Sequence, residues 1–188
     1  MTGRLIAVVG PSGVGKDSLI DGLVAARPGL QRIRRTITRP EALGGEDFEG
    51  ATEAEFAARR AGGGFVLCWE AHGLHYGIPA SAKAQVAGGR EVIANLSRGA
   101  IGEAAAHFSA VHVLAVTAQP GILAERLAAR GRETTDDIAR RLARPAPPMP
   151  GGVTVTEIDN SGPLDAAVTQ AQAALGPLYA PSATRSIT

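Results

Sequence analysis

The sequence has little of several features that would narrow its class at once. Its one cysteine, Cys68, cannot form an intramolecular disulfide. It has no run of 18 or more apolar residues that could cross a bilayer, and no apolar N-terminal segment ending in a cleavage site of small residues. We therefore expect a cytoplasmic protein that has no membrane partner.

No charge of one sign dominates either, because 19 basic and 18 acidic residues leave a formal charge of +1. This balance argues against nucleic acid as the main partner, so any bound anion is expected to be small. Lysine is scarce, with Lys16 and Lys83 alone against 17 arginines. A lysine in such a chain indicates a position that needs a compact point charge on a flexible stem. Lys16 is therefore a candidate functional residue.

Short apolar runs and helical patterns alternate along the chain, which predicts βαβ units and a parallel sheet. Strands are expected at 5–9, 65–69, 91–96, 111–116 and 153–158, and helices at 15–27, 52–61, 99–108, 120–129, 135–143 and 164–175. Residues 34–50 and 69–77 are predicted as loop and turn, and 145–152 as a surface connection. The sequence thus predicts one α/β domain over 1–176, a mostly parallel sheet covered by helices, and a flexible tail over 177–188.

A glycine-rich segment with the pattern G-x-x-x-x-G-K follows the first predicted strand and opens the first helix. It consists of Gly10, Pro11, Ser12, Gly13, Val14, Gly15 and Lys16. Glycines let backbone N–H groups approach phosphate oxygens, the helix start adds positive partial charge, and the lysine neutralises the outer phosphates. The segment therefore predicts a nucleotide phosphate site.

The residue after the lysine departs from this pattern. Ser or Thr, a magnesium ligand, is usual there, whereas this chain has Asp17 followed by Ser18. Asp17 either takes over a metal or water contact, or is a helix N-terminal carboxylate without a metal role.

Two arginine clusters are further candidates. Arg34, Arg35 and Arg39 alternate with hydroxyl residues and predict a fork-shaped anion site, with a solvated face as the alternative. Arg126, Arg130, Arg141 and Arg144 flank a glycine-bearing turn. They predict a lid that delivers guanidinium groups to a transferring phosphoryl group, with a salt-bridged pair of surface helices as the alternative. His72 and His75 have no third ligand cluster, which argues against zinc.

Several of these motifs together resemble the guanylate-kinase-like group of P-loop kinases over about residues 4–165. They are GPSGVGKDSL, the Thr38-Arg39 pair, G-x-x-Y-G at 73–77, and RLAARGRE leading into IARRLAR. Three differences separate the chain from GMP kinases of that group: Cys68 and Ser97 stand where guanine-binding carboxylates are expected, and Glu41-Ala42 where a second phosphate-binding arginine is expected. A site without those carboxylates loses the partners of the guanine donors.

The chain most resembles the family of ribose 1,5-bisphosphate phosphokinases, which shares GPSGxGKDSL with its aspartate, NxSR, RGRE and a late Asn-x-Gly-x-Leu turn at 160–164. The resemblance implies a P-loop kinase fold with a small acceptor-binding insertion at about 34–78 and a lid at about 126–144. It implies ATP and Mg²⁺ as cofactors and a phosphorylated sugar as partner, in a step associated with phosphonate breakdown. The sequence leaves the oligomeric state open between a monomer and a homodimer.

The predicted site residues fall into three sets. The catalytic set is Lys16, Arg130 and Arg141. The nucleotide set is Gly10, Pro11, Ser12, Gly13, Val14, Gly15, Lys16, Asp17, Ser18 and Arg126, with Asp17 as the metal candidate. The acceptor set is Arg35, Thr38, Arg39, Tyr76, Asn95 and Arg98. A nucleoside monophosphate kinase with altered base preference and an inactive guanylate-kinase-like binding module are the competing interpretations.

Overall fold

Five parallel strands form the central sheet of the computed structural model, which describes residues 3–41, 47–129 and 148–177. The strands are β1 (Arg4–Val9), β2 (Gln31–Arg32), β7 (Glu91–Asn95), β8 (Val111–Thr117) and β9 (Thr154–Asp159). Their order is β2-β7-β1-β8-β9, and every pair is parallel. The first strand therefore lies in the middle, and the loop after it emerges at the centre of the carboxyl edge.

A second sheet of four strands covers one side of the first. Its strands are β3 (Arg35–Ile37), β4 (Phe48–Gly50), β5 (Phe65–Ala71) and β6 (Leu74–Pro79), in the order β4-β3-β6-β5. β3 pairs parallel with β4, whereas β6 runs antiparallel to both β3 and β5. This sheet lies within the predicted acceptor region, residues 34–78.

Helices complete the described fold. They are α1 (Lys16–Ala26), α2 (Glu53–Ala61), α3 (Ser81–Ala87), α4 (Ile101–His107), α5 (Pro120–Ala129) and α6 (Leu164–Leu175), with a 3₁₀ turn at Arg98–Ala100. α2 begins with a capping box: the Thr52 hydroxyl accepts from the Glu55 N–H, and the Glu55 carboxylate accepts from the Thr52 N–H. No helix within the described ranges has the length and apolar character needed to cross a membrane.

The strand β1 is apolar on both faces because each face has its own core. Leu5, Ala7 and Val9 pack toward the second sheet, α3 and α4. Ile6 and Val8 pack toward α1 and α6. This two-sided burial explains why the sequence shows a continuous apolar run rather than an alternating one.

A buried ion pair fixes the C-terminal end of α6 at the edge of the sheet opposite the loop. Glu91 accepts from Arg4 at 2.7 Å and from Arg27 at 3.1 Å. The two guanidinium groups also donate to the carbonyls of Leu175 and Gly176. Because α6 is held at this end, the turn before its first residue has a defined place beside the glycine-rich loop.

The predicted alternation is confirmed, and two local predictions are wrong. Residues 34–50 contain β3 and β4 rather than loop alone, and residues 69–77 are the end of β5, a tight turn and most of β6. Hydrogen bonding between β3, β5 and β6 extends these segments, although Gly77 and Pro79 weaken the strand pattern in the sequence. The predicted helix at 135–143 lies outside the described residues.

Candidate active site

The glycine-rich loop joins the end of β1 to the start of α1. Gly15 lies just before α1 with φ +92° and ψ +28°, a left-handed conformation that favours glycine. A Cβ atom at this position would lie 2.5 Å from Asn160 Nδ2, so the loop has no room for a side chain there. The sequence pattern and the observed conformation therefore agree on why glycine occupies position 15.

Lys16 folds back over this loop. Its ammonium donates to the Gly10 carbonyl at 2.9 Å and to the Pro11 carbonyl at 3.0 Å. These hydrogen bonds hold the charge at the mouth of the loop, where an ammonium attracts the outer phosphates of a nucleotide. The role of Lys16 at the nucleotide phosphates stays a prediction.

Asn160 is distant from the glycine-rich loop in sequence but stabilises it through a hydrogen bond. The Asn160 side chain is 4% exposed, and its Nδ2 donates to the Val14 carbonyl at 2.7 Å. Its backbone N–H donates to the Thr117 carbonyl at 2.8 Å. The sequence contained a signal for this residue, the Asn-x-Gly-x-Leu turn, but sequence reasoning gave it no role in the site.

Asp17 points away from the loop toward the neighbouring strand β7. Its Oδ1 accepts from Asn95 Nδ2 at 3.2 Å and lies 3.8 Å from Arg32 Nη2. Arg32 also pairs with Asp21, one turn further along α1, and lies 3.8 Å from Asp47. The predicted metal candidate thus lies in a network with an amide and a guanidinium.

A small cleft of about 10 Å³, room for roughly one water molecule, connects this network to the second sheet. It is lined by Asp17, Ile20, Arg32, Ile33, Arg35, Asp47 and Asn95. Arg35 is 8% exposed, and its guanidinium carbon lies 5.3 Å from the Tyr76 ring centroid. The Tyr76 ring stacks in turn on Trp69, with centroids 5.3 Å apart and planes 7° from parallel. The structure thus brings together four residues predicted from sequence: Asp17, Arg35, Tyr76 and Asn95.

The other two arginines at the start of this region have different contacts. Arg34 donates to Asp47 at 2.8 Å and to the Phe48 carbonyl at 2.7 Å, so it holds the start of β4 in place. The Arg39 guanidinium lies over the Phe48 ring at 4.5 Å. Of the predicted arginine cluster, Arg35 therefore faces the cleft, and Arg34 is used in an internal ion pair.

Thr38 connects β3 to β6. Its hydroxyl accepts from the His75 N–H at 2.9 Å, and its own N–H donates to the His75 carbonyl at 3.1 Å. Nearby, Glu49 accepts from Arg59 at 2.8 and 2.9 Å and from the Thr36 hydroxyl at 2.8 Å. The hydrogen bond from Arg59 holds the pKa of Glu49 below its usual value, so this carboxylate fastens α2 to the second sheet as an anion.

Cys68 is not where the comparison with GMP kinases predicted it to be. The register pairs Cys68 with Gly77 and Trp69 with Tyr76, so Cys68 lies on the opposite face of the sheet from the cleft. It lines a separate cavity of about 490 Å³, together with Arg60, Lys83 and Glu103, among others. Burial raises the pKa of its thiol. Trp69, rather than Cys68, has its side chain on the face of Arg35 and Tyr76.

Two further predicted residues lie at the edge of the site. Arg98 opens the 3₁₀ turn after β7, and Arg126 lies on α5. The next residue, Leu127, packs on the loop: a Cβ on Gly13 would lie 2.8 Å from Leu127 Cδ2. Arg126 Nη1 is buried without a hydrogen-bond partner in the described structure. Arg130 and Arg141, and with them most of the predicted lid, lie outside the described residues.

The donor set does not provide a dedicated magnesium site. Asp17 is the one carboxylate at the start of α1 that faces the cleft beside the loop, and its Oδ1 already accepts from Asn95. Within the described ranges no group of three or more His, Cys, Asp or Glu residues could hold a metal ion. Magnesium often keeps several waters and binds through substrate phosphates, so these residues fit an ion that enters with the nucleotide better than one ligated by Asp17.

Comparison with solved structures identifies the class. The chain is similar to guanylate kinase from Anaplasma phagocytophilum, with a TM-score of 0.66 and 15% identity over 93% of this chain and 85% of that one. It is also similar to a gluconokinase from Sinorhizobium meliloti 1021, with a TM-score of 0.55 and 20% identity over 93% and 91% of the two chains. These likenesses show the fold of the P-loop kinases, as predicted.

Sequence comparison identifies the family. The chain is 50% identical over 172 residues to Ribose 1,5-bisphosphate phosphokinase PhnN from Ruegeria sp. (strain TM1040), covering 91% of this chain and 90% of the relative. The protein of that name from Agrobacterium fabrum is 44% identical over 86% of this chain and 90% of its own. The chain therefore belongs to the ribose 1,5-bisphosphate phosphokinases, which confirms the predicted family.

A third relative has a different organisation. The Bifunctional ribose 1,5-bisphosphokinase-thymidine phosphorylase of Cupriavidus necator is 49% identical over 88% of this chain, which covers 28% of that protein. No family model matches the chain.

Proposed function

We propose that this protein transfers the γ-phosphoryl group of ATP to ribose 1,5-bisphosphate, giving 5-phosphoribosyl 1-diphosphate and ADP. The observation that carries the proposal is a phosphate-binding loop with its lysine, beside a small cleft whose polar lining is Arg32, Arg35, Asp17, Asp47 and Asn95. Membership of the ribose 1,5-bisphosphate phosphokinases supports the same reaction. An intact loop and its lysine argue against the inactive binding module.

ATP binds with its phosphates on the loop in this proposal. The backbone and side chains of residues 10–18 surround the phosphates, and Lys16 neutralises the charge that develops between the β- and γ-phosphates. Magnesium would be held by the nucleotide phosphates and water rather than by a dedicated protein site, and would neutralise phosphate charge there. Arg126 on α5, and Arg130 and Arg141 of the predicted lid, would add guanidinium groups to the phosphates.

The acceptor binds between the loop and the second sheet. Its two phosphates need cationic and hydroxyl partners, which Arg35, Arg39, Tyr76, Thr38 and Arg98 supply. Arg35 is already oriented because it is buried and packed on the Tyr76 ring. A guanidinium held in this way loses little freedom on binding, so it recognises a phosphate more strongly than a mobile arginine would.

The chemical step needs no general base. An oxygen of the acceptor's 1-phosphate, already ionised, attacks the γ-phosphorus of ATP. A new P–O–P bond forms, the bond between the γ-phosphorus and the bridging oxygen breaks, and ADP leaves with that electron pair. Positioning and charge neutralisation therefore supply most of the rate.

Two residues of β5 also argue against a GMP acceptor. Guanine offers amide and amino donors that need carboxylate partners, and neither Cys68 nor Trp69, which stand where the resemblance to GMP kinases expects a glutamate, carries a carboxylate. Each donor left buried without a partner costs about 1–3 kcal/mol. A ribose bisphosphate has no base and escapes this cost.

Phosphorus NMR tests the proposal directly. With ATP, Mg²⁺ and ribose 1,5-bisphosphate, we expect the 1-phosphate signal to be replaced by the two coupled signals of a diphosphate ester as ADP appears. Lys16→Ala is the matched control and should form no such product while remaining folded. ADP formation without a second pair of coupled signals, from a sugar 1-diphosphate, would contradict the proposed reaction.

A further inference from the structure

A carboxylate in a cleft for a doubly anionic acceptor needs an explanation. Two carboxylates, Asp17 and Asp47, line the cleft with Arg32, Arg35 and Asn95; Asp17 is the one beside the phosphate-binding loop, and its side chain is 33% exposed. Near two phosphates a carboxylate is repulsive, so it weakens binding unless it contacts a hydrogen-bond donor or a cation. Its position therefore points to a specific partner within the site.

The described contacts of Asp17 use one of its two carboxylate oxygens. In the described part of the chain both the Asn95 hydrogen bond and the Arg32 ion pair fall on Oδ1. Oδ2 therefore keeps its capacity to accept. Asn95 is 8% exposed and uses one amide hydrogen on Asp17, which leaves its amide oxygen and second hydrogen. The pair presents an anionic acceptor beside a neutral donor and acceptor.

The donors that ribose 1,5-bisphosphate offers are its two vicinal hydroxyls. Its phosphates are acceptors once ionised, so they match the arginines, whereas the 2- and 3-hydroxyls match a carboxylate and an amide side by side. We propose that Asp17 and Asn95 bind the ribose diol and make the enzyme reject deoxyribose acceptors. This inference rests on the proposed function and assigns the sugar-binding part of the same cleft.

Kinetics with three acceptors test the inference. For the wild-type enzyme we expect kcat/KM to be about 10- to 100-fold lower for 2-deoxyribose and 3-deoxyribose 1,5-bisphosphate than for ribose 1,5-bisphosphate, the usual effect of one charged hydrogen bond. Asp17→Asn should lower kcat/KM for the ribose acceptor by a similar factor and change little only the deoxy acceptor that lacks the hydroxyl bound by Asp17. Asp21→Asn is the matched control, since it removes a carboxylate from the same arginine outside the cleft, and should keep the wild-type preference.

A binding measurement without nucleotide or magnesium separates the two roles of Asp17. By calorimetry, Asp17→Asn should weaken binding of ribose 1,5-bisphosphate about 10-fold or more relative to the deoxy acceptor that lacks the hydroxyl bound by Asp17. The inference is overturned if wild type uses ribose and deoxyribose acceptors equally. It is also overturned if Asp17→Asn lowers all three equally and raises the magnesium concentration required. If wild type phosphorylates none of them, the proposed function itself fails.

Discussion

Replacing Asn160 by alanine removes the hydrogen bond that connects the turn after β9 to the phosphate-binding loop. The bond is 2.7 Å long, the Asn160 side chain is 4% exposed, and Val14, whose carbonyl accepts it, is completely buried. Water has no access to replace the lost donor. Leaving a buried carbonyl without a partner costs about 1–3 kcal/mol.

This cost falls either on global stability or on the active conformation of the loop. If the loop instead changes conformation so that the Val14 carbonyl gains another partner, the conformation that binds the phosphates is disfavoured by the same energy. That energy corresponds to a loss of about 5- to 150-fold in ATP affinity or turnover. We therefore expect Asn160→Ala to lower the free energy of unfolding, or kcat/KM for ATP, by an amount in this range.

Urea unfolding and steady-state kinetics with varied ATP measure the two effects on the same preparation. Ser161→Ala is the control, because Ser161 lies in the same turn and hydrogen-bonds to Gln119 and Asp159 without a hydrogen bond to the loop. The control should stay close to wild type in kcat/KM. If Asn160→Ala keeps both wild-type stability and wild-type kinetics, Asn160 does not support the loop.

Three further predictions concern Lys16, the lid arginines and His112. Lys16→Ala should reduce turnover by orders of magnitude in a folded protein, and Lys16→Arg should fail too because the loop holds a compact charge; steady-state kinetics with a circular dichroism check decide, and near-normal turnover would contradict the role. Substituting Arg130 or Arg141 should lower kcat more than it raises KM for the acceptor, and the reverse pattern would remove both from the lid role. Burial lowers the pKa of His112 below 6.5, so the unfolded chain takes up the proton first and stability should fall as pH drops below about 6.5. Thermal unfolding of wild type and His112→Gln between pH 5 and 8 tests this, and an equal slope in both would contradict it.

The features predicted from sequence are those that depend on neighbouring residues. The glycine-rich loop needs left-handed backbone at Gly15 and a lysine one residue later, and both requirements are visible within seven residues. The buried strand before it and the helix after it have apolar patterns of different period. Local chemistry therefore predicted the loop, the α/β class and the candidate phosphate site.

Features that depend on strand register could not be predicted in the same way. Cys68 and Trp69 are adjacent in sequence, and a shift of one residue exchanges the faces of the sheet on which their side chains lie. The pairing of Trp69 with Tyr76 decides the face, and that pairing depends on how β5 and β6 meet around a tight turn. Neither Cys68 nor Trp69 carries a carboxylate, so the argument against guanine is the same whichever of the two faces the cleft.

Contacts between segments that are distant in the chain could not be predicted from the sequence either. Asn160 and Val14 are 146 residues apart, and Asn95 and Asp17 are 78 apart. No local pattern shows that the end of β9 and the end of β7 lie on either side of the same loop. The parallel strand order, with β1 between β7 and β8, creates both contacts.

Acceptor preference tests the central claim most directly. Initial rates of ADP release are measured at varied ribose 1,5-bisphosphate and at varied GMP, AMP and UMP, with ATP and Mg²⁺ saturating. Since two or three guanine donors would lack partners at about 1–3 kcal/mol each, we expect kcat/KM for ribose 1,5-bisphosphate to exceed that for GMP by several orders of magnitude. A wild-type enzyme that prefers GMP, or any of the three nucleotides, would contradict the account and identify a nucleoside monophosphate kinase instead.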